Sequence, residues 1–113
     1  MDTADATSKR PIRLANGEEF ETLVEADPVV LVEFYTSGCG ICQRMEPVLG
    51  LVAKATDATV AMINAGDDLE LSGRFTIRSV PTLLLFVDGE VVGRLDDGYQ
   101  DAESLVAFVE ENT

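Results

Sequence analysis

The sequence predicts an α/β domain in which helices cover both faces of a mixed central β-sheet. Apolar, β-forming runs alternate with amphipathic helical patterns along most of the 113 residues, which is typical of parallel strands joined by helices. Near the C-terminus two strand-like runs are separated only by Asp88-Gly89, a strong hairpin signal, so the sheet also contains antiparallel strands. The predicted order of elements is β-α-β-α-β-α-β-β-α.

The first half of the chain predicts an edge strand, a capped helix and a central strand. Residues 11–14 begin with proline, which is tolerated in an edge strand. Asn16 is a good helix N-cap, and Glu19 follows three residues later, close to the spacing of a capping box. Residues 29–35 form a nearly continuous run of apolar β-formers, which predicts a strand buried on both faces.

The later elements are predicted from the spacing of their apolar residues. Pro47 lies inside the longest helical pattern, and we expect a kink there because its ring clashes with the carbonyl one turn back. Asp101 is the predicted N-cap of the last helix. The predicted ranges are a helix at 40–55, a strand at 59–63, a short helix at 67–73, strands at 82–87 and 90–95, and a final helix from 101.

The length of the chain corresponds to one domain. We expect residues 1–10, which are mostly polar, to form a flexible N-terminal tail and residues 11–113 to form the domain. The sequence contains no run of about 18 apolar residues, which a membrane-spanning helix requires. The first ten residues carry acids and lack an apolar core, unlike a secretory signal, so we expect a cytoplasmic protein.

The charge balance is strongly acidic. Twenty-one acids face eight bases, which gives a formal net charge of −13, and the only lysines are Lys9 and Lys54. Such a chain repels nucleic acid and anionic membranes, so neither is an expected partner. The expected oligomeric state is a monomer. Self-repulsion of this size becomes tolerable when salt screens it, which together with the scarcity of lysine favours a halophilic host over an ordinary acidic protein.

Both cysteines of the chain lie in the segment Cys39-Gly40-Ile41-Cys42, where a predicted strand gives way to a predicted helix. A C-x-x-C at such a junction indicates redox chemistry. Free backbone N–H groups and the helix dipole favour the thiolate of Cys39, so Cys39 is the predicted nucleophile. Cys42 lies one turn further along the helix, where it can attack a mixed disulfide formed on Cys39.

Metal binding is the main alternative for this dithiol. A closed zinc site needs four ligands, and the chain offers two cysteines and no histidine. A zinc or iron–sulfur site would therefore require two chains that share their cysteines. The prediction is a site with no metal and no bound cofactor, in which the Cys39–Cys42 pair itself carries the electrons.

The motifs together resemble the thioredoxin family over about residues 11–112. This resemblance implies the thioredoxin fold and the activity of a protein-disulfide reductase. It implies disulfide-containing proteins as substrates and a flavin-containing thioredoxin reductase as electron donor. The segments that carry the resemblance are Leu31–Tyr35, Cys39–Cys42, Pro47, Arg78–Phe86 and Asp88–Glu90.

The same resemblance implies a substrate-binding edge beside the dithiol. Val80-Pro81 is expected to be a cis peptide bond, and the backbone of Val80 would pair with a substrate peptide. The alternative is an ordinary proline at the start of a strand. The other residues expected to contact substrate are Gly38, Gly40 and Ile41.

Glu33 stands where the family has a buried aspartate below the dithiol, and the resemblance implies that it accepts the proton of Cys42. Burial in an apolar strand is expected to raise its pKa, which suits a base that works near neutral pH. The alternative is an exposed residue on an edge strand, but the flanking Val32 and Phe34 are apolar.

Three further positions depart from the family pattern. Gly38 replaces the usual tryptophan, Ile41 replaces a proline, and Met62 stands where many members have a lysine. Without the tryptophan the choice of partners stays open. With Ile41 between the cysteines we expect a dithiol that is less reducing than that of ordinary thioredoxin, and the missing lysine leaves Glu33 more readily protonated. A disulfide oxidase or isomerase of the same fold, or a non-catalytic docking module, are the alternative functions.

Overall fold

The computed structural model describes residues 9–113, and in this part of the chain five strands form one mixed sheet. The strands are β1 (Ile12–Leu14), β2 (Val29–Tyr35), β3 (Thr59–Asn64), β4 (Thr82–Val87) and β5 (Glu90–Leu95). Their order in the sheet is β1-β3-β2-β4-β5; β3 runs parallel to both β1 and β2, whereas β4 is antiparallel to β2 and β5. The predicted mixed sheet is thus confirmed.

The first and the last helix begin at the predicted caps. The Asn16 side chain accepts a hydrogen bond from the Glu19 amide at 2.9 Å, and Asp101 accepts one from the Ser104 amide at 2.8 Å. Pro47 lies inside the second helix, as predicted. In residues 9–113 the helices are α1 (Gly17–Ala26), α2 (Gly40–Ala55), α3 (Leu69–Arg74) and α4 (Ala102–Glu111), and Ala65–Asp67 forms a 3-10 turn.

The predicted N-terminal tail, residues 1–10, falls mostly outside the described part of the chain and stays a prediction. Lys9 is described, and its ammonium group donates a hydrogen bond to the Thr56 carbonyl at 2.8 Å. Across residues 9–113, every helix is too short or too polar to cross a lipid bilayer.

Strand β2 supplies side chains to both hydrophobic cores, as expected for a strand buried on both faces. On one face Leu31 packs with α2 and α4, and on the other Phe34 packs with α1 and α3. Because successive side chains of a strand point to opposite faces, Glu33 shares the face of Leu31 and is directed toward α2. This places the carboxyl group of Glu33 in the same layer as the helix that carries the dithiol.

Because β5 lies close to α4, we expect alanine substitutions at Gly93 and Gly50 to change the stability of the protein in opposite directions. A Cβ on Gly93 would lie 2.6 Å from Cζ of Phe108, so we expect Gly93→Ala to lower the free energy of unfolding by about 1 kcal/mol. Gly50, inside α2, has nothing among the described residues within 4 Å of its Cβ position. Gly50→Ala should therefore raise stability by about 0.5–1 kcal/mol.

Urea unfolding of the oxidised protein measures both effects. Adding Phe108→Leu to Gly93→Ala should recover part of the loss, since the shorter side chain vacates the space that the new methyl group needs. Equal stability of Gly93→Ala and the parent would contradict the predicted contact.

Candidate active site

Cys39 and Cys42 form a disulfide at the start of α2, and their Cα atoms are 5.3 Å apart. Cys39 is the N-cap of the helix, and its sulfur accepts a hydrogen bond from the Cys42 amide at 3.1 Å. This amide is one of the N–H groups that a helix leaves without a backbone partner in its first turn. The same donor and the helix dipole would stabilise negative charge on Cys39 after reduction.

The two sulfur-bearing residues differ in exposure. Cys39 is half-buried, whereas Cys42 is only 3% exposed. The difference arises because β2 ends at Tyr35 and a short turn carries the chain out to Cys39 before α2 turns back over the sheet. In that turn the Cys39 amide bonds to the Thr36 carbonyl at 3.4 Å, and Gly38 adopts a left-handed φ of 80°. An attacking group from outside can therefore approach Cys39 far more easily than Cys42.

The peptide bond between Val80 and Pro81 is cis. It immediately precedes β4, whose first residue Thr82 pairs with Phe34 near the end of β2. The loop before β4 therefore reaches the same end of the sheet as the dithiol. Pro81 is buried there and Val80 is half-buried.

Arg94 anchors the segment that leads to this cis bond, and this role of Arg94 was not predicted from the sequence. Its guanidinium donates hydrogen bonds to the carbonyl groups of Phe75 at 2.6 Å and Thr76 at 2.7 Å, and to the carboxylate of Asp96 at 3.1 Å. Thr82 adds a hydrogen bond from its hydroxyl to the Ser79 carbonyl at 2.7 Å. The sequence carries no signal for the Arg94 contacts to the backbone, because a carbonyl acceptor can belong to any residue type.

Glu33 is fully buried, with 0% of its surface exposed. In the sheet it lies between Met62 on β3 and Leu83 on β4, and neither of its carboxyl oxygens has a hydrogen-bond partner in residues 9–113. The pKa of Glu33 is raised from its ordinary value of 4.5 to about 8, mainly by burial and also by the nearby carboxylate of Glu46, while Arg13 acts in the opposite direction. A carboxyl group in this environment holds its proton until the pH rises above neutral.

Three of the remaining predicted positions lie next to or between the two cysteines, and the fourth lies in the sheet. Gly38 and Gly40 are exposed, and Ile41 presents an apolar side chain that is 37% exposed. Met62 is a core residue. Within the described part of the chain, no three side chains of the histidine, cysteine, aspartate or glutamate type are grouped to hold a metal ion.

Comparisons with known proteins agree on one family. The thioredoxin family model matches residues 11–111. A thioredoxin of Alicyclobacillus acidocaldarius is 41% identical over 90 residues, covering 78% of this chain and 85% of its own, and one of Chlamydia caviae is 29% identical over 103 residues, covering 90% and 99%.

Among solved structures, a mutant thioredoxin from Halobacterium salinarum NRC-1 superposes with a TM-score of 0.88. Its sequence is 37% identical, and the match covers 94% of this chain and 93% of that one. The residues that the family model matches include the whole sheet, the disulfide and the cis proline. The chain therefore belongs to the thioredoxin family, and it is a thiol–disulfide oxidoreductase of the protein-disulfide reductase kind.

Proposed function

We propose that the protein reduces disulfides of other proteins with Cys39 as nucleophile and Cys42 as resolving cysteine. The unequal exposure of the two cysteines carries this assignment. The Cys39 thiolate attacks a target disulfide and releases one target sulfur as a thiolate, which takes a proton from solvent. Cys42 then loses its proton and attacks Cys39, the bond to the target breaks, and the second target sulfur leaves as a thiolate while the Cys39–Cys42 disulfide forms. Two electrons pass from the dithiol to the target.

Glu33 is the proposed proton acceptor for Cys42. Its side chain is directed toward α2, the helix whose first turn contains Cys42, and it lies in an apolar layer from which bulk water is excluded. A base is most effective when its pKa lies near the working pH, and the raised pKa of Glu33 meets that condition. Cys42 is buried as well, so a buried base offers its thiol proton a destination without exposing the sulfur.

The proposed substrate-binding residues are Gly38, Gly40, Ile41, Val80 and Pro81. Ile41 offers an apolar contact, and the glycines leave room for a substrate backbone close to Cys39. The loop that contains Val80 ends at the same edge of the sheet, so its backbone groups can pair with an extended peptide.

The proposed substrates are disulfide-containing proteins, and the proposed electron donor is a flavin-containing thioredoxin reductase. We also propose a cytoplasmic, monomeric protein of a halophilic host. The net charge of −13 supports the halophilic origin, and so does the likeness to the Halobacterium thioredoxin structure.

Insulin reduction by dithiothreitol tests the assigned roles of the cysteines. Both Cys39→Ser and Cys42→Ser should lower turnover about 100-fold or more, because the two sulfurs act as one unit. In a separate reaction, Cys42→Ser that has been reduced and then freed of dithiothreitol should accumulate a covalent mixed disulfide with insulin, visible on a non-reducing gel, whereas Cys39→Ser treated in the same way should not. A mixed disulfide that forms on Cys39→Ser instead would reverse the assignment.

The buried carboxyl group predicts a pH-dependent stability. Glu33 ionises near its ordinary pKa of 4.5 in the unfolded chain but only near 8 in the folded one. The free energy of unfolding should therefore fall as the pH rises from 4.5 to 8, by on the order of 5 kcal/mol in total, and show no further loss from this group above that range. Glu33→Gln should remove this component of the slope.

Urea unfolding at constant ionic strength between about pH 4 and 9 measures the effect, as the difference between variant and parent. The exposed Glu90→Gln is the control and should keep the slope of the parent. Parallel curves for Glu33→Gln and the parent would show that Glu33 ionises normally in the folded protein.

Thermal unfolding in KCl tests the halophilic origin. The melting temperature should rise from low to multimolar salt, because the Debye length falls to about 3 Å at 1 M and screens the acidic surface. A variant in which the exposed Glu103, Glu110 and Glu111 are changed to Gln should show a weaker rise, since it has less repulsion to screen. A flat or falling curve for the parent would contradict the proposal.

A further inference from the structure

Three side chains form a cluster at the β1 edge of the sheet, here called the edge cluster: Arg13, Tyr35 and Glu46. Arg13 pairs with the Glu46 carboxylate at 2.9 Å, and both side chains are about half exposed, at 56% and 43%. Arg13 also donates a hydrogen bond to the Tyr35 hydroxyl at 3.5 Å and lies 5.9 Å from the centre of that ring. The cluster thus joins β1, β2 and α2 through one guanidinium group.

The edge cluster lies on the same row of the sheet as Glu33. Arg13 pairs with Met62 across β1 and β3, and Met62 pairs with Glu33 across β3 and β2. Paired residues direct their side chains to the same face, so all three are directed toward α2. With strands about 4.8 Å apart, the Cα atoms of Arg13 and Glu33 are separated by about 10 Å. The apolar Met62 between them contributes no charge of its own.

Helix α2 brings the second charge of the cluster to the same place. Glu46 follows Cys42 by four residues, so the two side chains lie on one face of the helix, one turn apart. The sheet neighbours of Glu33, Met62 on β3 and Leu83 on β4, are apolar, and they belong with Leu105 of α4 to the hydrophobic core on this face of the sheet. In the described residues the charged groups that act on Glu33 are Glu46, which raises its pKa, and Arg13, which lowers it.

We propose that the Arg13–Glu46 pair is a positioning device that sets the proton affinity of Glu33 and, through it, the pH range in which Cys42 resolves the mixed disulfide. The second half of this inference rests on the proposed role of Glu33 as base. Arg13 acts from β1, two strands away from Glu33, so the cation reaches the carboxyl group across Met62 rather than from the neighbouring strand. The side chains of Arg13 and Glu46 are half exposed, whereas Glu33 is fully buried. The charges that act on Glu33 are therefore in contact with solvent although Glu33 itself is not.

The affected step is the second one of the reaction. The Cys42 thiol gives its proton to the Glu33 carboxylate, the Cys42 sulfur attacks Cys39, and the target leaves as a thiolate. This step requires Glu33 to be ionised beforehand. A nearby negative charge at Glu46 opposes that ionisation, and the positive charge of Arg13 favours it.

Two neutralising substitutions separate this proposal from a purely structural role of the ion pair. Glu46→Gln should lower the pH midpoint of Glu33 and Arg13→Gln should raise it, each by about 0.5–1 unit. At neutral pH the ionised fraction of Glu33 changes accordingly, so the resolving step should become about threefold to fivefold faster in Glu46→Gln and about threefold to tenfold slower in Arg13→Gln. Both substitutions break the same ion pair, so a structural effect would move the two variants in the same direction.

The experiment uses two readouts on the reduced full-length protein. Infrared difference spectra against pH follow the protonated carboxyl band that Glu33→Gln removes, and so report the midpoint of Glu33 directly. Stopped-flow mixing with dithiobis(nitrobenzoate) gives one nitrothiobenzoate on attack by Cys39 and a second on resolution by Cys42. Arg74→Gln and Glu21→Gln are the matched controls, because that ion pair is similarly exposed, at 52% and 41%, and lies with α1 and α3 on the other face of the sheet.

Opposite shifts of the carboxyl band in Arg13→Gln and Glu46→Gln, with no shift in the controls, would support the edge cluster as the device. Shifts in one direction, or none, would overturn the inference even if Glu33→Gln slows the second release. The band could instead shift in opposite directions in the two variants while Glu33→Gln releases the second nitrothiobenzoate at the rate of the parent. That result would overturn the role of Glu33 as the base for Cys42. The two failures are therefore distinguishable.

Discussion

The position of strand β2 at the centre of the sheet is the constraint on which the other features depend. It pairs with β3 on one side and β4 on the other, so its backbone hydrogen bonds are internal and its side chains must fill two cores. Its end at Tyr35 determines where the chain leaves the sheet and hence where α2 begins. The location of Cys39 outside and Cys42 inside follows from that geometry.

A strand buried on both faces is a costly place for an acid. Glu33 gives up hydration without gaining a hydrogen bond from any described residue, and the cost is reduced when it keeps its proton. In a chain of net charge −13, an uncharged carboxyl in the interior also avoids adding to the repulsion among surface acids. The raised pKa that keeps Glu33 uncharged in the core also places its ionisation about one pH unit above neutral.

The elements and the dithiol were predictable because their signals are local. Asn16 and Asp101 cap helices through residues three positions away, Asp88-Gly89 forms a hairpin through its own backbone, and the two cysteines lie in one turn. The cis bond at Pro81 was expected from the resemblance to a family, and the structure contains it. The burial of Glu33 was foreseeable from its apolar neighbours.

The contacts between distant segments were not predictable from the sequence. Arg94 binds the carbonyl groups of Phe75 and Thr76, and nothing in the identity of those acceptors indicates a partner. The pairing of Arg13 with Glu46 depends on the register of β1 with β3 and on the direction of α2, which are set by packing of the whole domain. The sequence shows an excess of acids but not which of them a given arginine meets.

The backbone at Gly38 has a consequence for anyone who wishes to give this surface a new recognition element. The space beside the Cβ position of Gly38 is open among the described residues, so a larger side chain would meet no steric clash there. The limit is the backbone conformation, because a φ of 80° suits glycine and disfavours L-amino acids. A large side chain installed by ordinary mutagenesis would have to reshape the turn that presents Cys39. A D-amino acid, introduced by chemical ligation, would project a side chain from the same turn while leaving its backbone in place.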